Sequence, residues 1–355
     1  MAPRVYFFAT ALLSLVSSLS LACSKSGGGE IRLNGAGATF PYPLYSKWVA
    51  EYRRVEPAVM INYQSIGSGG GIRQVTERTV DFGASDSPMS DVELAKAPGK
   101  LLHLPVTLGA VVIGYHLPGV ASGMRLGPEV LADIFLGKVT RWNDPLLVAL
   151  NPQLALPEQA IVVVHRTDGS GTTGVFTEYL AKVSPVWQKQ VGTGTSVRWP
   201  TGLGAKGNEG VAGLLKTTPG AIGYVELAYA KQAKQPHAVL RNRAGNFVEA
   251  GLANITAAAA DSAGSVPADL RMSIVDAPGA TSYPIAAFSF LLVYEAAQHP
   301  ARGAALARFL RWAVSGGQAH AAALHYAPLP AALAAKVEEK LRSLTVAGKP
   351  ILEAP

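Results

Sequence analysis

The chain has 355 residues, 49% of them hydrophobic, with 31 Lys and Arg against 24 Asp and Glu for a formal charge of +7. That length allows two domains of ordinary size, and that composition allows a large core. The basic residues form no run and do not interleave with aromatics as a nucleic-acid surface requires, so the expectation is a mildly basic surface with no nucleic-acid partner.

Residues 1–22 read as a signal peptide: Arg4 opens it, Val5 to Val16 is its mostly apolar core, and small residues lead to Ser20-Leu21-Ala22. No other uncharged apolar stretch is long enough to span a bilayer. Cys23 is the only cysteine, so an intramolecular disulfide is excluded. Its place just after the signal core marks it as a lipid acceptor, with residues 23–29 as a flexible tether. Ser20 stands where a lipidation signal usually carries a large aliphatic residue. The alternative is therefore ordinary cleavage and an unanchored product.

From Glu30 the chain alternates strand-like and helical pieces. Ile31 to Leu33 is strand-like and leads through Asn34-Gly35-Ala36-Gly37-Ala38-Thr39-Phe40-Pro41 into a helix with Leu44, Tyr45, Trp48, Val49 and Tyr52 on one face. Val59 to Ile61 leads through Gln64-Ser65-Ile66-Gly67-Ser68-Gly69-Gly70-Gly71 into a helix with Ile72 and Val75 inward. Val80-Asp81-Phe82-Gly83-Ala84-Ser85-Asp86-Ser87-Pro88 ends in a turn. Ser90 and Glu93 then form a capping box ahead of a helix with apolar Val92. Val106 to Leu117 is a long apolar strand candidate, and helices are expected near Val130, Gly174 and Glu209. Ile161 to Val164 reads as a buried strand, followed by His165-Arg166-Thr167-Asp168-Gly169-Ser170-Gly171-Thr172-Thr173 and a helix with Val175, Phe176, Tyr179 and Leu180. The Ala-rich stretch Asn254 to Gly264 is expected to be peripheral. Pro284 to Tyr294 is a second apolar run, and helices at Ala301 to Ser315 and Leu329 to Leu344 close the chain. The alternation predicts an α/β fold.

Three of these strand-to-helix turns carry glycine plus hydroxyl residues. Such a turn presents free amides and the positive end of a helix dipole, and its small residues let an anion approach. Arg166 adds a planar fork suited to a tetrahedral oxyanion. One such turn is an ordinary loop, but three point to a shared anion pocket. Taken by itself, Asp86 reads as a turn or cap residue.

Together GAGATFP, the IGSGGG turn, VDFGASDSP, RTDGSGT, VGTGTSVRWPTGLGAKGNEGV, PGAIGYVE and LHYAPLP resemble the phosphate-binding proteins of bacterial ABC phosphate importers, from about Glu30 almost to the end. The resemblance implies a two-lobed, type II-like periplasmic-binding-protein fold with the ligand in the cleft. Domain I would be residues 30–105 plus 281–355, domain II residues 106–280, and the two apolar runs would be hinge strands. It also implies that Thr39, Phe40 and Ser68 donate hydrogen bonds from one lobe and Arg166, Ser170, Gly171 and Thr172 from the other. Asp168 would orient Arg166, and Asp86 would accept a hydrogen bond from the ligand. An ionised carboxylate can only accept, so Asp86 favours phosphate, which keeps a P–OH at neutral pH, over sulfate, which has none. His165 is expected in a supporting or surface role. The implied protein is a monomeric receptor, without metal or cofactor, that serves a membrane permease and its ATPase from outside the cytoplasmic membrane.

The rival readings are another tetrahedral oxyanion (arsenate, sulfate or molybdate) and, further off, a phosphatase. Arsenate shares the protonation and shape of phosphate. For an enzyme, the seven histidines show no metal-ligand spacing and no G-x-S-x-G elbow is present. Gly204-Ala205-Lys206-Gly207-Asn208 lacks the Ser or Thr of a nucleotide P-loop.

Overall fold

A computed structural model describes residues 29–262, 264 and 266–352. The expected signal peptide, Cys23 and all of the expected tether except Gly29 lie outside the described residues.

The main elements follow the predicted alternation. β1 (Ile31–Gly37) leads to α1 (Tyr42–Val55), β2 (Val59–Ser65) to α2 (Ser68–Thr76), and β3 (Phe82–Ser85) to the short α3 (Asp91–Leu94). β4 (Leu101–Tyr115) and α4 (Pro128–Phe135) follow. β5 (Val162–Arg166) then leads to α5 (Gly171–Val183), β6 (Leu203–Ala205) to α6 (Gly207–Thr217), and β7 (Ala221–Glu226) to α7 (Leu227–Gln232). The chain ends with α8 (Leu252–Asp261), β8 (Ala286–Tyr294), α9 (Pro300–Ala313) and α10 (Ala331–Arg342).

One curled sheet runs in the order β2-β1-β3-β8-β4-β7-β5-β6. β1 is parallel to β2 and β3, and β5 is parallel to β7 and β6, whereas β8 and β4 run antiparallel to their neighbours. The fold is therefore two-lobed. One lobe gathers on β1, β2, β3 and β8, the other on β5, β6 and β7, and β4 belongs to both. Its Leu101–Ala110 part pairs with β8, and its Val111–Tyr115 part pairs with β7. Every residue of β4 is buried. Cover on both faces explains why it reads as an unbroken apolar run rather than an alternating one.

The strand begins earlier than expected, at Leu101 rather than Val106. Pro105 lacks an N–H and so reads as a strand breaker. Here the register slips opposite Ser289 and Phe290, which leaves Val106 as an extra residue in a β-bulge that accommodates the proline.

Helix faces follow their sequence stripes. Leu44, Tyr45, Trp48 and Tyr52 of α1 are buried, and the Trp48 indole donates to the Gly317 carbonyl at 2.7 Å. Leu306, Phe309, Leu310 and Ala313 of α9 and Leu333, Val337 and Leu341 of α10 are likewise inward. Two local expectations need correction. The Ser90–Glu93 capping box forms, but the helix has a single turn and Val92 is 70% exposed. The Ala-rich stretch is not merely peripheral: α8 buries Ile255, Ala258 and Ala259, because small side chains let it pack closely.

Candidate functional site

The three hydroxyl-bearing turns converge between the lobes. Thr39 and Phe40 lie where β1 passes into α1, Ser68 opens α2, and Asp86 follows the end of β3. Arg166 ends β5, and Ser170 caps α5 from the facing lobe. Thr39, Ser68, Asp86, Arg166, Ser170 and Thr172 are all buried polar side chains, an unusual concentration for a protein interior.

The lobes touch at backbone distance. The Gly69 amide donates to the Gly169 carbonyl at 2.9 Å. Gly67 sits at φ +89°, and a Cβ there would lie 2.5 Å from the Asp168 carboxylate. A Cβ on Gly171 would lie 2.3 Å from Ser68 Oγ and 2.6 Å from Asp86 Oδ2. Glycine at these two positions is thus required by the approach of the opposite lobe.

On the Arg166 side, the guanidinium Nε donates to Asp168 Oδ1 at 2.7 Å and Nη2 to Asp168 Oδ2, forming a bidentate pair. The Gly207 amide donates to the same Asp168 Oδ1 at 3.1 Å. Burial alone would raise the Asp168 carboxyl, but the hydrogen bonds and charge of Arg166 outweigh it and hold the group below its ordinary range. The Arg166 amide donates to the Tyr224 hydroxyl at 3.0 Å, which anchors the end of β5. Nη1 remains directed to the Thr172 hydroxyl at 3.4 Å. Ser170 gives its amide to the Thr195 carbonyl at 2.8 Å and accepts from the Thr173 amide at 3.1 Å. Its hydroxyl hydrogen is then its remaining donor. The amides of Gly171 and Thr172 lie in the first turn of α5, where a helix offers them no carbonyl.

On the other side, Asp86 is 3% exposed and forms no ion pair with a cationic side chain among the described residues. Ser289, from β8, donates to Asp86 Oδ1 at 2.8 Å, and Ser68 Oγ lies 3.4 Å from Oδ2. Burial pushes this carboxyl up to about 7, against the opposing pull of the Ser289 hydroxyl, the more distant Arg166 charge and Ser68. The arrangement therefore combines many donors with one carboxylate acceptor. With Arg166 Nε and Nη2 paired to Asp168, the donors left facing the cleft are hydroxyl and amide groups together with guanidinium Nη1.

Cys23 lies outside the described residues; the predicted phosphate-binding residues and Asp168 fall in this constellation. His165 does not: its ring stacks on Trp199 at 4.9 Å, outside the cleft. Four residues of the constellation were not assigned to the site by the sequence reading. Ser289 touches Asp86. Asn208, at the start of α6, donates from Nδ2 to the Thr39 hydroxyl at 2.7 Å and to the Thr172 hydroxyl at 3.1 Å. The Tyr229 hydroxyl donates to the Thr39 carbonyl at 2.7 Å, and the Tyr326 hydroxyl to the Phe40 carbonyl at 2.6 Å. Tyr326 lies in LHYAPLP and Asn208 in GAKGNEGV, so the motifs were visible although the contacts were not.

A family model described as a PBP superfamily domain matches residues 24–316. The "Phosphate-binding protein PstS" of Pasteurella multocida (strain Pm70) is 45% identical over 88% of this chain and 90% of its own length. The protein of the same name from Xylella fastidiosa (strain Temecula1) is 45% identical over 87% of this chain and 84% of its own. Among solved structures, a putative phosphate ABC transporter substrate-binding protein from Clostridium perfringens, with bound phosphate, superposes with a TM-score of 0.61 at 18% identity, covering 84% of this chain and 100% of that one. Sequence, fold and cleft agree: the chain belongs to the periplasmic-binding-protein superfamily, within the family of the phosphate-binding proteins.

Proposed function

We propose that the cleft binds inorganic phosphate outside the cytoplasmic membrane and that the loaded protein delivers it to an ABC-type import permease driven by an ATPase. The observation that carries this reading is Asp86: a buried acceptor facing a turn of donors across a closed contact between lobes. A dianion without a hydrogen meets repulsion there, whereas a protonated oxyanion donates to it. Thr39, Phe40, Ser68, Arg166, Ser170, Gly171 and Thr172 supply the donors, and Asp168 holds Arg166 in place. A hydrogen bond to a charged group is worth about 1.5–3 kcal/mol net, and micromolar affinity needs about −8 kcal/mol, so this set is sufficient.

In this reading residues 30–105 plus 281–355 form one lobe and residues 106–280 the other. The change of β4's partner at Ala110 and Val111 supports a waist close to that division. The protein acts as a monomeric receptor rather than an enzyme, needs neither metal nor cofactor, and has no nucleic-acid partner. Among the described residues no helix is long and apolar enough to cross a membrane. Attachment is assigned to a lipid on Cys23.

Calorimetric titration of phosphate and sulfate against the mature chain tests the central claim. Phosphate should bind in the micromolar range or tighter and sulfate at least about 10³-fold more weakly. Equal affinities would overturn the role of Asp86, and no phosphate binding would overturn the function. Fatty-acid labelling in cells should mark the unaltered chain and not Cys23→Ser; equal labelling of both would remove the anchor.

A further inference from the structure

The turn Lys206-Gly207-Asn208 resembles part of a nucleotide loop without completing one, and no direct contact with the anion is assigned to it. Its geometry gives it another task. Asn208 is fully buried at the start of α6. Its Oδ1 accepts from the Glu226 amide at 2.9 Å. A backbone N–H can only donate, so the carboxamide oxygen has to face Glu226 and Nδ2 has to face the two threonines.

Each threonine hydroxyl has two lone pairs and one hydrogen. Thr39 Oγ1 receives Asn208 Nδ2 at 2.7 Å and the Asn208 amide at 3.4 Å. Thr172 Oγ1 receives Asn208 Nδ2 at 3.1 Å and Arg166 Nη1 at 3.4 Å. With both acceptor positions engaged, each hydroxyl is left with only its hydrogen to offer. We infer that Asn208 is a positioning residue that locks the Thr39 and Thr172 hydroxyls, one from each lobe, as donors toward the bound anion.

This inference rests on the phosphate reading and deepens it. A free hydroxyl rotor could turn a lone pair to the cleft and bind a P–OH, which would blur the division of labour with Asp86. The lock takes that option away from Thr39 and Thr172 and leaves acceptance on that side of the site to Asp86. It acts through hydroxyl orientation, so its effect must vanish when the hydroxyls are gone.

The test is calorimetric titration of phosphate against the mature chain, Asn208→Ala, Thr39→Val/Thr172→Val, and the combination of all three substitutions, with ligand-free melting temperatures as a check on folding. Asn208→Ala should weaken phosphate binding about tenfold to a hundredfold in the unaltered background. The same substitution should change affinity by less than about threefold in the double-valine background. An equal loss in both backgrounds, or no loss in either, overturns the inference. If Asn208→Ala does not fold, Asn208→Asp keeps the acceptor for the Glu226 amide. Its carboxylate should draw both hydroxyl hydrogens away from the cleft, so its penalty should shrink at least about tenfold in the double-valine background; an undiminished penalty overturns the inference. Absence of phosphate binding by the unaltered chain defeats the parent reading itself, and this one with it.

Discussion

Two aspartates on opposite walls of the cleft, Asp86 buried and Asp168 partly buried, have opposite electrostatics. Asp168 meets a guanidinium in bidentate contact and is held low, whereas Asp86 meets only serine hydroxyls and is raised to about 7. Burial pushes both upward, so the partner decides the outcome. Asp168 is thereby spent inside the protein as a brace, and Asp86 keeps its accepting capacity for whatever enters. In the proposed reading, one residue type serves structure on one wall and selection on the other.

The comparison can be broken most severely at Arg166. Arg166→Ala removes the fork and leaves Asp168 as a second unpaired carboxylate beside the anion, so phosphate affinity measured by calorimetry should fall about 10³-fold or more. Adding Asp168→Ala should recover part of that loss; no recovery would mean that the pair contributes only its positive member. Asp86→Asn is the next largest. Phosphate should weaken roughly tenfold to a hundredfold while sulfate strengthens, because the amide can donate where the carboxylate could only accept.

A pH series sharpens the same contrast without mutation. The Asp86 carboxyl titrates higher in the folded chain than in the unfolded one, at about 7 against 3.8. The folded chain therefore holds an extra proton between those values. The associated stability is fully present below the lower value and is lost as pH rises through about 7. Urea unfolding of the ligand-free protein should show about 3 kcal/mol lost through this group between pH 5 and pH 8, and Asp86→Asn should not show that component. Sulfate binding should strengthen by up to about tenfold from pH 8 to pH 6 in the unaltered chain, since protonated Asp86 gains a donor. A flat sulfate profile would contradict the assignment. The smallest effect is expected at His165, whose ring stacks on Trp199 rather than facing the cleft. His165→Ala should leave phosphate affinity within about twofold.

Much of this cleft could be read from local pattern. The glycine-and-hydroxyl turns lie next to one another in the sequence with their strands and helices, so Thr39, Ser68, Arg166 and Ser170 announce themselves. Asp86 needed a family likeness to be distinguished from a turn residue, because a burial-raised carboxyl has no sequence signature of its own. The contacts of Ser289 and Asn208 left no local sign, although both residues lie in stretches the sequence singled out. Ser289 is 203 residues from Asp86 and looks like one small residue in an apolar strand. Asn208 is 169 residues from Thr39 and looks like an ordinary helix opener. Long-range pairing, not local propensity, gives each its role. Pro105 misled in the other direction: the strand was expected to start just after it, but passes through it on a bulge.

The strand that passes through it, β4, has a mechanical consequence. Both walls of the cleft are stitched to one continuous ribbon whose hydrogen-bonding partner changes at Ala110 and Val111. No slack linker separates the walls there, so parting them must twist and bend a fully packed strand instead of turning about a loose joint. Such a ribbon behaves as a torsion spring: the work of parting rises with angle.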